Sequence, residues 1–200
     1  MSTTPSTLGC AILGLLARRP STGYELARRL DRPVGWFWTA RHSQIYPELA
    51  RLAEAGLVRY VESDGRGPLR NKRYRISAAG TRVLRAWVVA PHEPQPVRDL
   101  ETLRLWSLWT VAPAEAITVV ERARASHAGV LAAYEAELAD VLGDPDCRDP
   151  GHPLFASRLT LEGGVRTREA AVAWCDWMLA ELDERAESPV RGKAGGPRVG

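Results

Sequence analysis

Cysteine is scarce in this sequence. Its 200 residues include three, Cys10, Cys147 and Cys175. They are spaced too widely for a metal-ligand pattern and are not an even-numbered disulfide framework. A reducing compartment is therefore the expected setting. Long apolar runs are missing as well. The longest, LGCAILGLLA beginning at Leu8, falls short of the roughly 20 residues that cross a bilayer. No basic residue precedes it, which argues against a secretory signal, so we expect a soluble cytoplasmic protein. The signatures of common catalytic sites are absent: there is no phosphate-binding glycine loop, no His-x-x-x-His pair and no Gly-x-Ser-x-Gly elbow. His42, His92, His127 and His152 are far apart, and two of them sit in Pro/Gly-rich stretches. We therefore expect neither enzymatic activity nor a metal or cofactor.

Acidic residues are few in the first half. Residues 1–90 hold 15 Lys/Arg against 6 Asp/Glu, a net of +9, whereas residues 91–187 hold 9 against 18, a net of −9. Residues 188–200 add +3, and the whole chain carries +3. A basic half joined to an acidic one suggests a polyanion-binding module attached to something else. The apolar fraction of 45% supports a sizeable core.

The order of elements is legible from periodicity. Leu8, Ala11, Ile12, Leu15 and Leu16 share a helical face that ends at Pro20. Thr22 followed by Glu25 is a capping-box pattern, and it opens a short helix that ends before Pro33. In HSQIYPELARLAEAGLV, residues 42–58, Ile45, Leu49 and Leu52 fall on one face, with Gly56 as a helix stop. Residues 57–61 and 73–76 are β-prone, and the Asp-Gly and Gly-Pro turn signals between them predict a hairpin. Ser77 then caps a helix whose apolar face is Val83, Leu84, Trp87 and Val88. Three helices, a hairpin and a helix make the winged helix-turn-helix plan.

The stretch 91–98, with three prolines, reads as a linker. Beyond it the chain reads as all-α: a short Leu- and Trp-rich segment, then a long helix over 114–142 striped by Val120, Ala123, His127, Val130, Tyr134, Leu138 and Val141. A last helical stretch, interrupted at Gly163-Gly164, runs to about Glu187, and residues 188–200 read as a disordered tail. The expected class is thus mainly α with a small β-hairpin. A winged helix-turn-helix domain (6–90) and a linker (91–98) precede a helical domain (99–187) and the tail.

At this point a resemblance appears. LGLLARRPSTGYELARRLD, the pattern S-Q-I-Y-P-E-L-x-R-L-x-x-x-G-L-V from Ser43, and N-K-x-Y-x-I-S-x-x-G from Asn71 resemble the PadR family of bacterial transcriptional regulators. The remainder is similar, with weaker motifs, to the helical dimerisation domain of the longer members. The resemblance implies a homodimeric repressor whose wing and third helix bind a palindromic operator. It also implies response, in many members, to small and often aromatic ligands.

The residues themselves point to sites. With Ile45, Leu49 and Leu52 packed inward, Ser43, Gln44, Glu48 and Arg51 are expected to face outward, with Tyr46 at the boundary. Gln pairs bidentately with adenine, and Ser bonds a base or a phosphate. Pro47 gives up one helical hydrogen bond near the start, where the loss is tolerable. On the hairpin, Arg66, Arg70, Asn71, Lys72, Arg73 and Arg75 suit phosphate contacts, although alternation puts Arg73 and Arg75 on one face and Lys72 on the other. Arg18, Arg19, Arg28, Arg29 and Arg32 are further phosphate candidates. The seven tryptophans, Trp36, Trp38, Trp87, Trp106, Trp109, Trp174 and Trp177, suit either core and dimer packing or an aromatic effector pocket. Trp106, Trp109, Arg104 and His127 are the candidate ligand residues, although His127, on an apolar helical stripe, reads first as a core histidine. Ala171, Cys175, Met178 and Leu182, spaced like a heptad, with Trp174 and Trp177 alongside, are the candidate dimer seam. The expected partners are duplex DNA, a second copy and a small effector. A winged-helix DNA-binding protein without an effector, or a winged-helix module that binds protein, are the alternatives.

Overall fold

A computed structural model describes residues 5–31, 41–63, 71–91 and 98–187. Arg32, Trp36, Trp38, Arg66, Arg70, most of the linker and the 188–200 tail lie outside the described residues, as do the side chains of His42 and Asn71. The chain divides into two compact units, Met1–Pro94 and Gln95–Gly200.

The first unit is built around α1 (Thr7–Arg18), whose Ile12 and Leu13 are wholly buried. Ser6 caps it, accepting the Gly9 N–H at 3.0 Å. A two-residue strand, β1 (Ser21–Thr22), leads into α2 (Gly23–Asp31). The capping box forms as read: the Thr22 N–H donates to Glu25 Oε2 at 2.7 Å, and the Glu25 N–H to Thr22 Oγ1 at 3.2 Å. The bond from the Thr22 backbone is the main reason the Glu25 carboxyl sits below its usual range. Helix α3 (His42–Glu54) buries Ile45, Leu49 and Leu52 against this core. Gly56, at φ 68, stops it, with N–H bonds from Gly56 to Ala53 and from Leu57 to Leu52, both 2.9 Å.

Strands β2 (Val58–Ser63) and β3 (Asn71–Ile76) form the hairpin, and β1 adds a third antiparallel strand in the order β1-β3-β2. That strand was not expected; two residues carry no periodicity to read. Ser77 caps α4 (Ala78–Val89), and its hydroxyl donates to the Gly56 carbonyl at 2.7 Å. Only the first half of the expected α4 face packs inward. Val83 and Leu84 meet the core, whereas Trp87 and Val88 are exposed because the helix runs on past it.

In the second unit α5 (Leu100–Trp106) is capped by Asp99. Its carboxylate accepts the Thr102 hydroxyl at 2.6 Å and N–H at 3.0 Å, and the hydroxyl bond foremost holds it below the usual carboxylate range. Helices α6 (Pro113–Leu142) and α7 (Pro153–Glu187) pack along their length. Residue numbers rise along one helix as they fall along the other: Arg124 bonds Asp176, His127 bonds Arg168, and Tyr134 meets Gly164. The pair is therefore an antiparallel hairpin. Val120, His127, Tyr134 and Leu138 of the expected stripe are buried, and Ala123, Val130 and Val141 are half-buried. The interruption expected at Gly163-Gly164 does not occur; α7 is continuous. Gly164 serves close approach, since a Cβ there would lie 2.4 Å from the Tyr134 ring. Cys10, Cys147 and Cys175 are unpaired and buried. Among the described residues no helix is long and apolar enough to cross a membrane.

Two glycines give opposite expectations. A Cβ at Gly80 would lie 2.2 Å from the Leu57 carbonyl oxygen, which is backbone and cannot swing away. Gly80→Ala should cost about 2 kcal/mol or more. Gly129, in α6, has nothing within 4 Å, so Gly129→Ala should add about 0.5–1 kcal/mol. Urea unfolding of both variants checks the pair.

Candidate nucleic-acid interface

Helix α3 presents one polar edge because its other edge is spoken for by the core. Ser43, Gln44, Tyr46 and Arg51 all lie exposed on it. Gln44 Oε1 accepts the Arg41 N–H at 3.4 Å, a weak contact that leaves the amide available. Tyr46, 59% exposed, rests on Gly23, where a Cβ would come within 2.5 Å of its ring. The helix continues through Pro47.

Glu48 corrects the sequence reading. It does not face outward but is 3% exposed, with Oε1 accepting the Ser6 hydroxyl at 2.7 Å and Oε2 2.9 Å from Arg51 Nη2. The signal was there: Ile45, Glu48, Leu49 and Leu52 stand at i, i+3, i+4 and i+7, so Glu48 occupies one place of the buried stripe.

On the hairpin, Tyr60 pairs with Tyr74 across the strands, with ring centroids 5.5 Å apart. Tyr74 is buried, which raises its hydroxyl pKa. Lys72 Nζ stands 4.2 Å over the Tyr60 ring and 3.9 Å from Glu62, and its bond to the Tyr60 side chain is the first cause of its raised pKa. Arg73 turns back to the body of the unit, donating to the Pro20 carbonyl at 3.2 Å beside Glu25. Arg59 and Arg75 are direct cross-strand partners, both exposed. Like charges facing each other on a sheet are unfavourable, and an anion relieves them. Arg59 was missed because only the register brings it opposite Arg75. Among the α1–α2 arginines, Arg29 is structural: its guanidinium donates to the Leu15 carbonyl at 3.1 Å and to Ser21 Oγ at 3.2 Å.

In the second unit a groove of 480 Å³ lies between α5 and α6. Leu100, Leu105, Val119 and Ala123 give it apolar walls, and Arg104, Arg122 and Glu101 line it as well. Trp106 and Trp109 do not join it; they are 76% and 83% exposed. Two positions along a helix turn a side chain by about 200°, so Arg104 and Trp106 leave α5 on opposite sides. His127 sits behind the groove, 8% exposed, its Nε2 2.7 Å from Glu101 Oε1 and its Nδ1 2.9 Å from Arg168 Nη1. A guanidinium only donates, so Nδ1 accepts from Arg168 and Nε2 is the nitrogen that donates to Glu101.

Of the residues of the expected dimer seam, Cys175 turns inward. Cys175 is wholly buried with Leu105 and Val120, and Met178 and Leu182 pack on the same cluster. That stripe closes α7 onto α5 and α6 of its own chain. Heptad-like spacing marks an apolar face without saying which helix covers it. Ala171 is half-buried, while Trp174 and Trp177 remain 37% and 59% exposed.

A compact helical core carrying a three-stranded sheet with a basic hairpin, followed in the chain by a separate helical unit, defines a winged-helix regulator with an appended all-α domain. Residues 12–86 match the transcriptional regulator PadR-like family, and residues 97–183 match the virulence activator alpha C-terminal family. The chain is 33% identical over 186 residues to the probable transcriptional regulator Rv1176c of Mycobacterium tuberculosis, covering 88% of this chain and 97% of that one. The negative transcriptional regulator PadR of Bacillus subtilis is 26% identical, with coverage of 87% and 96%. The crystal structure of that PadR in complex with operator DNA superposes with a TM-score of 0.80 at 27% identity, covering 89% of this chain and all of that one. Its complex with p-coumaric acid gives 0.75 at 25% identity, covering 88% and 95%. The chain belongs to the PadR-like family of transcriptional regulators.

His127 joins α5, α6 and α7, and its removal should be felt there. His127→Phe keeps an aromatic ring, somewhat larger than imidazole, but strips both partners of their bonds, and it should destabilise by about 1–3 kcal/mol. An unchanged denaturation midpoint would mean that water serves Glu101 and Arg168 equally well.

Proposed function

We propose that this regulator is a homodimeric repressor that binds a palindromic operator through the 6–90 domain, and that a small ligand releases it. The 99–187 domain, joined through the 91–98 linker, pairs the subunits. The observation that carries the reading is the exposed polar edge of α3 beside a basic hairpin, in a chain similar over most of its length to a PadR solved on operator DNA.

Ser43 and Gln44 are the base-reading groups, Arg51 and Tyr46 flank them, and Lys72, Asn71 and Arg70 serve the phosphates, with Arg73 joining them when it leaves the Pro20 carbonyl and Glu25. Arg59 and Arg75 add an opposed cationic pair to the same hairpin. Two such domains, about one helical turn of DNA apart, double the contact that a single winged helix makes.

Trp174 and Trp177 are the pairing residues of α7. Large exposed aromatics on a folded unit mark association surfaces, and Leu103, Trp106 and Trp109 are exposed on the same unit. The effector site is the α5–α6 groove with Arg104 at its edge. Its size is in the range of small-molecule sites, and the p-coumaric acid complex of the Bacillus PadR supports a ligand with an apolar body and an anionic end. Such a ligand acts by binding one dimer geometry better than another.

Selection of DNA from a random pool tests the operator reading, and a palindrome is the expected product. Gln44→Ala should weaken operator binding by about 1–3 kcal/mol and relax one base pair per half-site. Lys72→Ala should instead weaken all sequences alike and lower the salt slope by about one ion per subunit. An unchanged selected sequence for the first, or an unchanged slope for the second, removes that residue from its role. For the pairing, sedimentation of the Trp174→Ala/Trp177→Ala variant should show a monomer where the parent is a dimer; a dimer of unchanged strength moves the interface elsewhere.

A further inference from the structure

The buried Glu48 carboxylate sits on α3 but bonds to the start of α1. We infer that Glu48 is a positioning residue for DNA reading, ordering Arg51 on the exposed edge of α3 and fixing the rotation of that helix on α1. The inference rests on the DNA-binding reading proposed above.

The chain of bonds is continuous. The Gly9 N–H donates to Ser6 Oγ at 3.0 Å, the Ser6 hydroxyl donates to Glu48 Oε1 at 2.7 Å, and Oε2 holds Arg51 at 2.9 Å. The positive end of α1 suits the carboxylate. Gly9 makes room for it, since a Cβ there would lie 2.5 Å from Oε1. The burial of the two partners is very unequal: the Glu48 side chain is 4% exposed and that of Arg51 67%. One end of the ion pair is thus fixed in the core, and the other projects into the solvent-facing groove that also holds Ser43, Gln44 and Pro47.

An exposed arginine ordinarily samples many rotamers, and ordering it on a ligand costs side-chain entropy. A carboxylate that is itself immobile removes much of that freedom beforehand. It also draws the guanidinium toward one place in the groove that Gln44 also lines, where a single register of the duplex satisfies it. Sequence-specific binding gains from that order. Non-specific binding, which uses the charge alone, gains little.

Glu48→Gln tests the idea on the full-length protein, because the amide keeps the size and still accepts from Ser6 while the charge is lost. We expect the ratio of operator to random-sequence affinity to fall about tenfold. Arg51→Ala should lower it similarly, and the double variant should be no worse than Arg51→Ala alone, because the first change acts through the second residue. Without DNA, ¹⁵N relaxation of the Arg51 Nε–H should report an ordered side chain in the parent and a mobile one in Glu48→Gln. Additive losses in the double variant, or an Arg51 as ordered without the carboxylate as with it, overturn the inference. If Glu48→Gln fails to fold, Glu48→Asp, which keeps the charge but withdraws it by one methylene, takes its place with the same expectations. A parent protein that binds no selected sequence is a separate result. It refutes the DNA-binding reading itself and leaves Arg51 no duplex to be ordered for.

Discussion

The burial of one edge of α3 is the constraint from which the first unit follows. Ile45 and Leu49 are wholly inaccessible and Leu52 nearly so. Each buried side chain of this size contributes about 1.5–3 kcal/mol. Turning the helix by one residue, about 100°, would bring Gln44 or Tyr46 into the core and put a leucine in water. The polar edge is therefore held in place by what lies behind it. Glu48 is a charged member of the buried edge, and it is tolerated because each of its two carboxylate oxygens meets a donor.

The same logic orders the second unit, with a larger polar share. Leu105, Val120 and Cys175 form its dry centre. Around them Arg124 is bonded to Asp176, which lowers the Asp176 carboxyl pKa, and Arg168, His127 and Glu101 run as a chain across α7, α6 and α5. A hairpin of two long helices buries only a narrow stripe, and directional bonds fix its register where apolar contact alone would let it slide. Gly164 under Tyr134 does the same by shape.

Periodicity made much of this readable. The stripe of α6, the α2 capping box and the Gly56 stop were each visible because a local rule sets them. What escaped was set by partners distant in the chain. Glu48 looked exposed since its acceptors' donor, Ser6, is 42 residues away. Cys175 reads as an outward seam residue because an apolar stripe does not name its cover, and here α5 and α6 cover it. Gly163-Gly164 looked like a break because helix propensity penalises glycine, while the tight approach of Tyr134 is a tertiary fact. At the candidate interface the outward set Ser43, Gln44 and Arg51 followed from the α3 period alone. The facing arginines of the hairpin needed the strand register.

The three buried thiols give the molecule a built-in clock for its own opening. Burial raises the pKa of Cys10 and Cys175 and removes them from solvent, so a thiolate is available to a reagent only while the surrounding structure is open. Cys10 lies in the first unit, Cys147 and Cys175 in the second. The rates at which the three are alkylated in native buffer therefore measure the opening free energies of the two units separately, in one sample and without denaturant.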